Sequence, residues 1–167
     1  LSDEHITRIV TTEGPQDIQA LIDHGAQFDR NADGTLALGR EGCHSRNRIV
    51  HAKGDATGAE VARALNAIVA REVDVEVLEH CYVVDLLTSK GICYGATAMH
   101  EGKKICLRAG AVILANGGCG RLYAKTTNPE GAVGSGIAMA YRAGAEVMDM
   151  EFVQFHPTAL AIKGCPN

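Results

Sequence analysis

A chain of 167 residues with 46% hydrophobic and 22% charged residues can bury one sizeable core and has the composition of a folded globular protein. Its net charge of −4 gives no sign of a basic nucleic-acid surface, and an aromatic content of 4% without Trp argues against stacking platforms for bases. No apolar stretch reaches the roughly 18 residues of a membrane span, so neither nucleic acid nor membrane is an expected partner.

The opening Leu1-Ser2-Asp3-Glu4-His5 has neither the basic nor the apolar region of a secretory signal. Lacking Met, it reads as a chain cut from something longer. Gly14-Pro15-Gln16-Asp17 is expected to open a helix, because Pro suits a first-turn position. Ile18, Leu21 and Ile22 give that helix an apolar stripe, and Gly25 ends it. Asn31-Ala32-Asp33-Gly34 signals a turn. Leu36 and Leu38 then alternate into a short strand that leads to Arg40-Glu41. A second helix starts near Thr57-Gly58 and runs through Val61, Leu65 and Ile68.

Strands are expected at Val75–Leu78, Cys81–Leu87, Gly91–Met99 and Lys104–Arg108, with turns at Lys90-Gly91 and Glu101-Gly102. Val112–Leu114 is a continuous apolar run, the pattern of a central parallel strand buried on both faces. Gly134–Gly144 reads as a small-residue helix able to approach another backbone closely. The class is α/β, with a β-meander inserted between the second helix and the apolar run at 111–115.

The cysteines Cys43, Cys81, Cys93, Cys106, Cys119 and Cys165 form no C-x-x-C pair and no zinc spacing, so no metal is expected. Three of them lie on expected strands. They read as free thiols in a reducing, cytoplasmic compartment.

Two regions carry chemistry. In the first, Arg40-Glu41-Gly42-Cys43-His44-Ser45 is a polar loop after a short strand, followed by Arg48-Ile49-Val50-His51-Ala52 and Asp55-Ala56-Thr57-Gly58. By itself it is a solvated loop. In the second, Ala111–Ala115 meets Asn116-Gly117-Gly118-Cys119-Gly120, then Thr126-Thr127-Asn128-Pro129, Gly134-Ser135-Gly136 and Glu151-Phe152-Val153-Gln154-Phe155-His156-Pro157-Thr158. A glycine turn before a helix N-terminus suits a phosphate, although the G-x-G-x-x-G fingerprint is absent. His156 alone reads as a core histidine. Pro157 holds its backbone extended, however, and Gln154 and Thr158 share its strand face, which is more like a pocket wall.

These segments, in this order, resemble the succinate dehydrogenase, fumarate reductase and L-aspartate oxidase superfamily, and the Arg40–Ser45 segment narrows the resemblance to the L-aspartate oxidase family. The resemblance covers nearly the whole chain but only the middle of such a protein. It implies part of a two-dinucleotide-fold (Rossmann-like) FAD-binding domain over residues 1–151 and the start of a capping domain over 152–167. It implies FAD as cofactor and oxidation of L-aspartate to iminoaspartate for NAD synthesis, with oxygen or fumarate taking the electrons. Substrate contacts are implied for Glu41 (to the α-ammonium group), His44, Ser45, His156 (to a carboxylate) and Thr158. Cofactor contacts are implied for Tyr82, Val83, Gly117, Gly118, Thr127, Asn128, Ser135 and Gly136.

The chain departs from the family pattern in three places. Cys43 stands where glycine is usual, Asn116 where threonine is usual, and Ser135 where aspartate is usual. The family's catalytic arginines match nothing here, so no catalytic residue is assigned, and the 167-residue chain by itself is expected to be inactive and to hold FAD weakly. A fumarate reductase or succinate dehydrogenase flavoprotein, and a cofactor-free structural module on the same scaffold, are the alternatives.

Overall fold

The computed structural model describes residues 2–155. The chain divides into two compact units, Leu1–Val77 and Leu78–Asn167.

In the first unit, helix α1 spans Glu4–Asp23. It starts well before the expected opening at Gly14. Asp3 caps it by accepting from the Ile6 N–H at 3.0 Å, and Glu4 adds an acid to the first turn. Pro15 therefore sits inside the helix. No residue of α1 is fully buried, and its apolar contacts begin only at Ile18, Leu21 and Ile22, the expected stripe. His24 caps the end, and Gly25 follows with φ +93°, a left-handed conformation open to glycine without strain. The Asn31–Gly34 turn forms as expected, with the Gly34 N–H donating to the Asn31 carbonyl.

Strands β1 (Leu38–Gly39) and β2 (Ile49–Val50) pair antiparallel, Leu38 opposite Val50 and Gly39 opposite Ile49. Helix α2 follows at Thr57–Val69, close to its predicted bounds. Ala26, Phe28, Ala52 and Ala64 form the buried centre of this unit, with Ile18, Leu21, Ile22, Leu36, Val50 and Val61 packed around it.

In the second unit, β3 (Tyr82–Ser89), β4 (Ile92–His100) and β5 (Lys103–Arg108) form the expected meander, antiparallel and in sequence order. Both of its turns use two residues at positive φ, Lys90 and Gly91, then Glu101 and Gly102, the geometry that matches the twist of a two-residue hairpin. Gly95, at φ +149°, lets β4 approach β5 so closely that a Cβ there would collide with the Leu107 carbonyl. Helix α3 (Ser135–Arg142) runs between Gly134 and Gly144, both at positive φ, and buries Met139. Arg142 in its last turn reaches β3, donating from Nε to Asp85 Oδ2 at 3.0 Å and from Nη2 to the Val84 carbonyl at 3.1 Å.

Two expected strands do not form. Val75–Leu78 and Val112–Leu114 pair with no other strand among the described residues, and Ile113, expected to be buried, is 90% exposed. A strand is defined by its ladder. Every ladder described here is antiparallel between short-range neighbours, whereas a parallel strand needs a partner brought by a crossover.

Candidate functional site

The first candidate region is the loop at residues 40–48 between β1 and β2. Its base is closed by the Arg48 N–H donating to the Gly39 carbonyl at 2.9 Å. At its tip a turn brings the His44 N–H to the Glu41 carbonyl at 3.2 Å. Cys43, inside that turn, has φ +65°. This left-handed conformation costs a residue with a Cβ about 1–2 kcal/mol, which gives glycine at this position a backbone reason. Glu41 and Ser45 are exposed. Although Arg40, Arg46 and Arg48 share the loop, Glu41 makes no ion pair among the described residues. His44 is half-buried, and its Nδ1 is buried with no hydrogen-bond partner among the described residues. Such an orphaned nitrogen costs about 1–3 kcal/mol. A ligand group facing it would supply the missing partner.

Beside this loop lies a pair that sequence reasoning missed. His51 Nδ1 sits 2.9 Å from Asp29 Oδ2, and the same carboxylate accepts the Lys53 N–H at 2.9 Å and the Gly54 N–H at 3.3 Å. The Lys53 N–H first, then the Gly54 N–H and His51, hold the Asp29 carboxyl below the usual carboxylate range. A second missed pair lies on α2. Glu60 is 5% exposed, accepts the Gln27 N–H at 2.7 Å, and takes two bonds from Arg63, whose guanidinium also reaches the Gly25 carbonyl. The Arg63 guanidinium, then the Gln27 N–H, pull the Glu60 carboxyl down to about 2. The Asp29–His51 pair follows no periodic pattern, and its only sequence signal was His51 within the Arg48–Ala52 segment. Glu60 and Arg63 stand at the i, i+3 spacing of a helical ion pair, a signal the sequence offered once α2 was expected.

The second candidate region, in the second unit, is a set of interlocked turns. The Gly134 N–H donates to the Gly118 carbonyl at 3.1 Å, and the Arg121 N–H to the Ala132 carbonyl at 2.9 Å. A Cβ on Gly136 would lie 2.7 Å from Asn116 Oδ1, one on Gly120 would lie 2.6 Å from Asn128 Cγ, and one on Gly134 would lie 2.8 Å from Cys119 Cβ. Asn128 is itself held, its N–H donating to Thr126 Oγ1 at 3.1 Å. The expected cofactor residues Gly117, Gly118, Asn128, Ser135 and Gly136 are thus brought into one cluster, and Thr127 lies in its chain path.

Gly134, at φ +75°, starts α3 with no side-chain cap, so the first N–H groups of the helix are left for another partner. Nothing lies within 4 Å of where a Cβ on Gly117 or Gly118 would be. An open glycine turn beside an uncapped helix N-terminus fits an anionic or carbonyl-bearing cofactor. Tyr82 and Val83 open β3, Tyr82 being 61% exposed. The bonds described between β3 and α3 come from Arg142 at the other end of the helix, and none ties Tyr82 or Val83 to the glycine cluster. His156 and Thr158 lie outside the described residues.

A glycine turn beside an uncapped helix N-terminus is an arrangement suited to the phosphates of a dinucleotide cofactor. The chain belongs to the FAD binding domain family, which matches residues 1–165, and FAD is the cofactor this membership implies. It is 47% identical to L-aspartate oxidase 2-b, chloroplastic, of Nicotiana tabacum over 100% of this chain and 26% of that protein. It is 50% identical to L-aspartate oxidase of Streptomyces coelicolor over 96% of this chain and 28% of that protein. Among solved structures, a mutant of E. coli quinol fumarate reductase FrdA is similar with a TM-score of 0.85 and 33% identity, covering 89% of this chain and 26% of that one. Mycobacterium smegmatis Sdh1 is similar with a TM-score of 0.81 and 32% identity, covering 87% and 26%. The chain therefore spans about a quarter of the length of the curated relatives it matches.

Proposed function

We propose that the protein carrying this chain is an L-aspartate oxidase, which converts L-aspartate to iminoaspartate with FAD and serves NAD synthesis. The observation that carries this reading is the 47–50% identity to proteins named L-aspartate oxidase across 96–100% of the chain. Residues 1–151 are then part of the FAD-binding domain and 152–167 the start of the capping domain. Gly117, Gly118, Thr127, Asn128, Ser135 and Gly136 would hold the cofactor from the glycine cluster, and Tyr82 and Val83 from β3. When bound, FAD supplies the two-electron acceptor for the hydride of the substrate Cα.

The chain's own residues bind and orient the substrate. Glu41 pairs with the α-ammonium group. Its exposure, and the absence of an ion pair among the described residues, leave its carboxylate available. The same charge repels a dicarboxylate that has no amine, so one residue both attracts and selects. His44 and Ser45 flank it. The buried Nδ1 of His44 meets a polar substrate atom. His156 and Thr158 take a carboxylate through charge-assisted bonds. The electrons leave to oxygen or fumarate.

No described helix is long and apolar enough to cross a membrane. The five described cysteines form no disulfide with one another. The likeness to fumarate reductase FrdA favours one second reading, a fumarate reductase flavoprotein. Steady-state oxidation of L-aspartate and of succinate by the full-length holoprotein separates the two. We expect turnover of aspartate and little of succinate, with Glu41→Gln raising KM for aspartate and narrowing the preference. Succinate oxidised as well as aspartate, with Glu41→Gln silent, would refute the proposal.

A further inference from the structure

We propose that His51, held by Asp29, is a positioning residue that fixes the base of the Glu41-bearing loop and so sets the enzyme's selection of an amino substrate. The inference rests on the reading of Glu41 given above and adds a residue that does not touch the substrate itself.

The argument starts from the carboxylate. An ionised Asp29 only accepts hydrogen bonds, so a ring nitrogen 2.9 Å from Oδ2 must be protonated. That fixes the neutral imidazole as the Nδ1–H tautomer, with Nε2 bearing the lone pair. The Asp29 carboxylate cannot swing to follow a moving ring, because the Lys53 N–H holds Oδ1 and the Gly54 N–H holds Oδ2. The backbone repeats the tie. The Asp29 N–H donates to the His51 carbonyl at 2.9 Å, and the Ala37 N–H donates to the Asp29 carbonyl at 2.9 Å. Asp29 thus joins the strand entering the hairpin to the strand leaving it.

The fixed ring lies on Gly39. A Cβ at Gly39 would stand 3.4 Å from His51 Cδ2 and 3.8 Å from Nε2. Gly39 is the last residue before the loop, and its carbonyl closes the loop by accepting the Arg48 N–H. Beyond this base the tip has one internal backbone bond, His44 N–H to Glu41 carbonyl, and Cys43 is strained there. The direction of the Glu41 side chain therefore depends on the base. A shift of about 1 Å at a substrate-positioning group can cost on the order of a hundredfold in rate.

The test uses the full-length holoprotein. His51→Phe keeps ring volume and removes the bond to Asp29, and His51→Gln offers a donor to Asp29 without the ring. We expect His51→Phe to raise KM for L-aspartate about tenfold or more with a smaller change in kcat, to reduce the aspartate-over-succinate preference, and to speed amide hydrogen exchange in the peptide 38–50. Gln should restore part of the KM. In the double variant with Glu41→Gln, His51→Phe should add nothing to KM, because both changes disable the same contact. A purely structural role would lower Tm and FAD content and leave KM, preference and local exchange of the folded holoprotein unchanged, which would overturn the inference. Additive effects of the two substitutions would overturn it as well. If Glu41→Gln changes KM and His51→Phe does not, the inference fails and the functional reading stands. If the wild type does not oxidise aspartate, both fail.

Discussion

Gly136 tests the glycine cluster directly. It is buried and is the second residue of α3. Adding a methyl group there would set a Cβ 2.7 Å from Asn116 Oδ1, 2.8 Å from Asn116 Cβ and 3.0 Å from Asn116 Cγ. The neighbour has little room to withdraw, because Gly118, two residues on, accepts the Gly134 N–H at 3.1 Å. Overpacking of this kind costs about 1–3 kcal/mol. Replacing a helical Gly by Ala returns up to about 1 kcal/mol. Gly136→Ala should therefore lose roughly 1–2 kcal/mol net.

An Asn116→Gly background removes all three opposing atoms. There the same Gly136→Ala change should become neutral or stabilising, so the two substitutions should couple by about 1–3 kcal/mol. Urea unfolding of the four proteins in the cycle measures the coupling, and FAD titration by flavin fluorescence tells whether the same contact shapes the cofactor cluster. If Gly136→Ala costs as much in the Asn116→Gly background as it does beside the native Asn116, the contact is not the cause and the reasoning fails.

Three further predictions concern the fold around the sites. The folded-state carboxyl of Glu60 lies near 2, below its ordinary value of 4.5, so its contribution is present above pH 4.5 and is lost as pH falls through about 2. Glu60→Gln should flatten the dependence of Tm on pH in that window, and an unchanged slope would count against the pair with Arg63. Cys43→Gly relieves a left-handed strain of about 1–2 kcal/mol and adds about 0.5–1 kcal/mol of unfolded-chain entropy, so denaturant unfolding should show a gain of about 0.5–1 kcal/mol. Gly95→Ala meets the Leu107 carbonyl, a backbone atom that cannot rotate away, and should cost about 3 kcal/mol or more; a variant as stable as wild type would show that β4 and β5 can separate there.

The elements that were legible in the sequence are those whose signals are local. Lys90-Gly91 and Glu101-Gly102 marked the meander because two-residue hairpins need positive φ, and both turns have it. Helices α2 and α3 were legible from their Thr-Gly and Gly-Ser starts. The start of α1 was misplaced because Pro15 carries a strong first-turn signal and the Asp3 cap a quieter one. The Val112–Leu114 run was apolar enough for a buried strand, but apolarity says nothing about whether a partner strand lies beside it.

Of the candidate site, the order of the glycine turns was readable, and their interlocking was not. The Asp29–His51 bond spans 22 residues and the Gln27–Glu60 bond 33, with no periodicity to announce either.

The two candidate regions tolerate change in opposite ways. At the loop tip, Cys43 is exposed, so its penalty is a backbone dihedral confined to one residue. Such a cost can be carried without a compensating change elsewhere. In the glycine cluster three of the missing Cβ positions are already occupied by a neighbour: Asn116 against Gly136, Asn128 against Gly120, Cys119 against Gly134. There a side chain can grow only if the position facing it stays glycine. Asn116 thus fills the space that a side chain at 136 would need. Ser135 is different again. It is the first residue of a helix with no side-chain cap, and it brings no charge to the positive end of that helix. Substitutions at 43, 116 and 135 should accordingly separate by readout: stability alone at 43, coupling to Gly136 at 116, and charge-dependent ligand binding at 135.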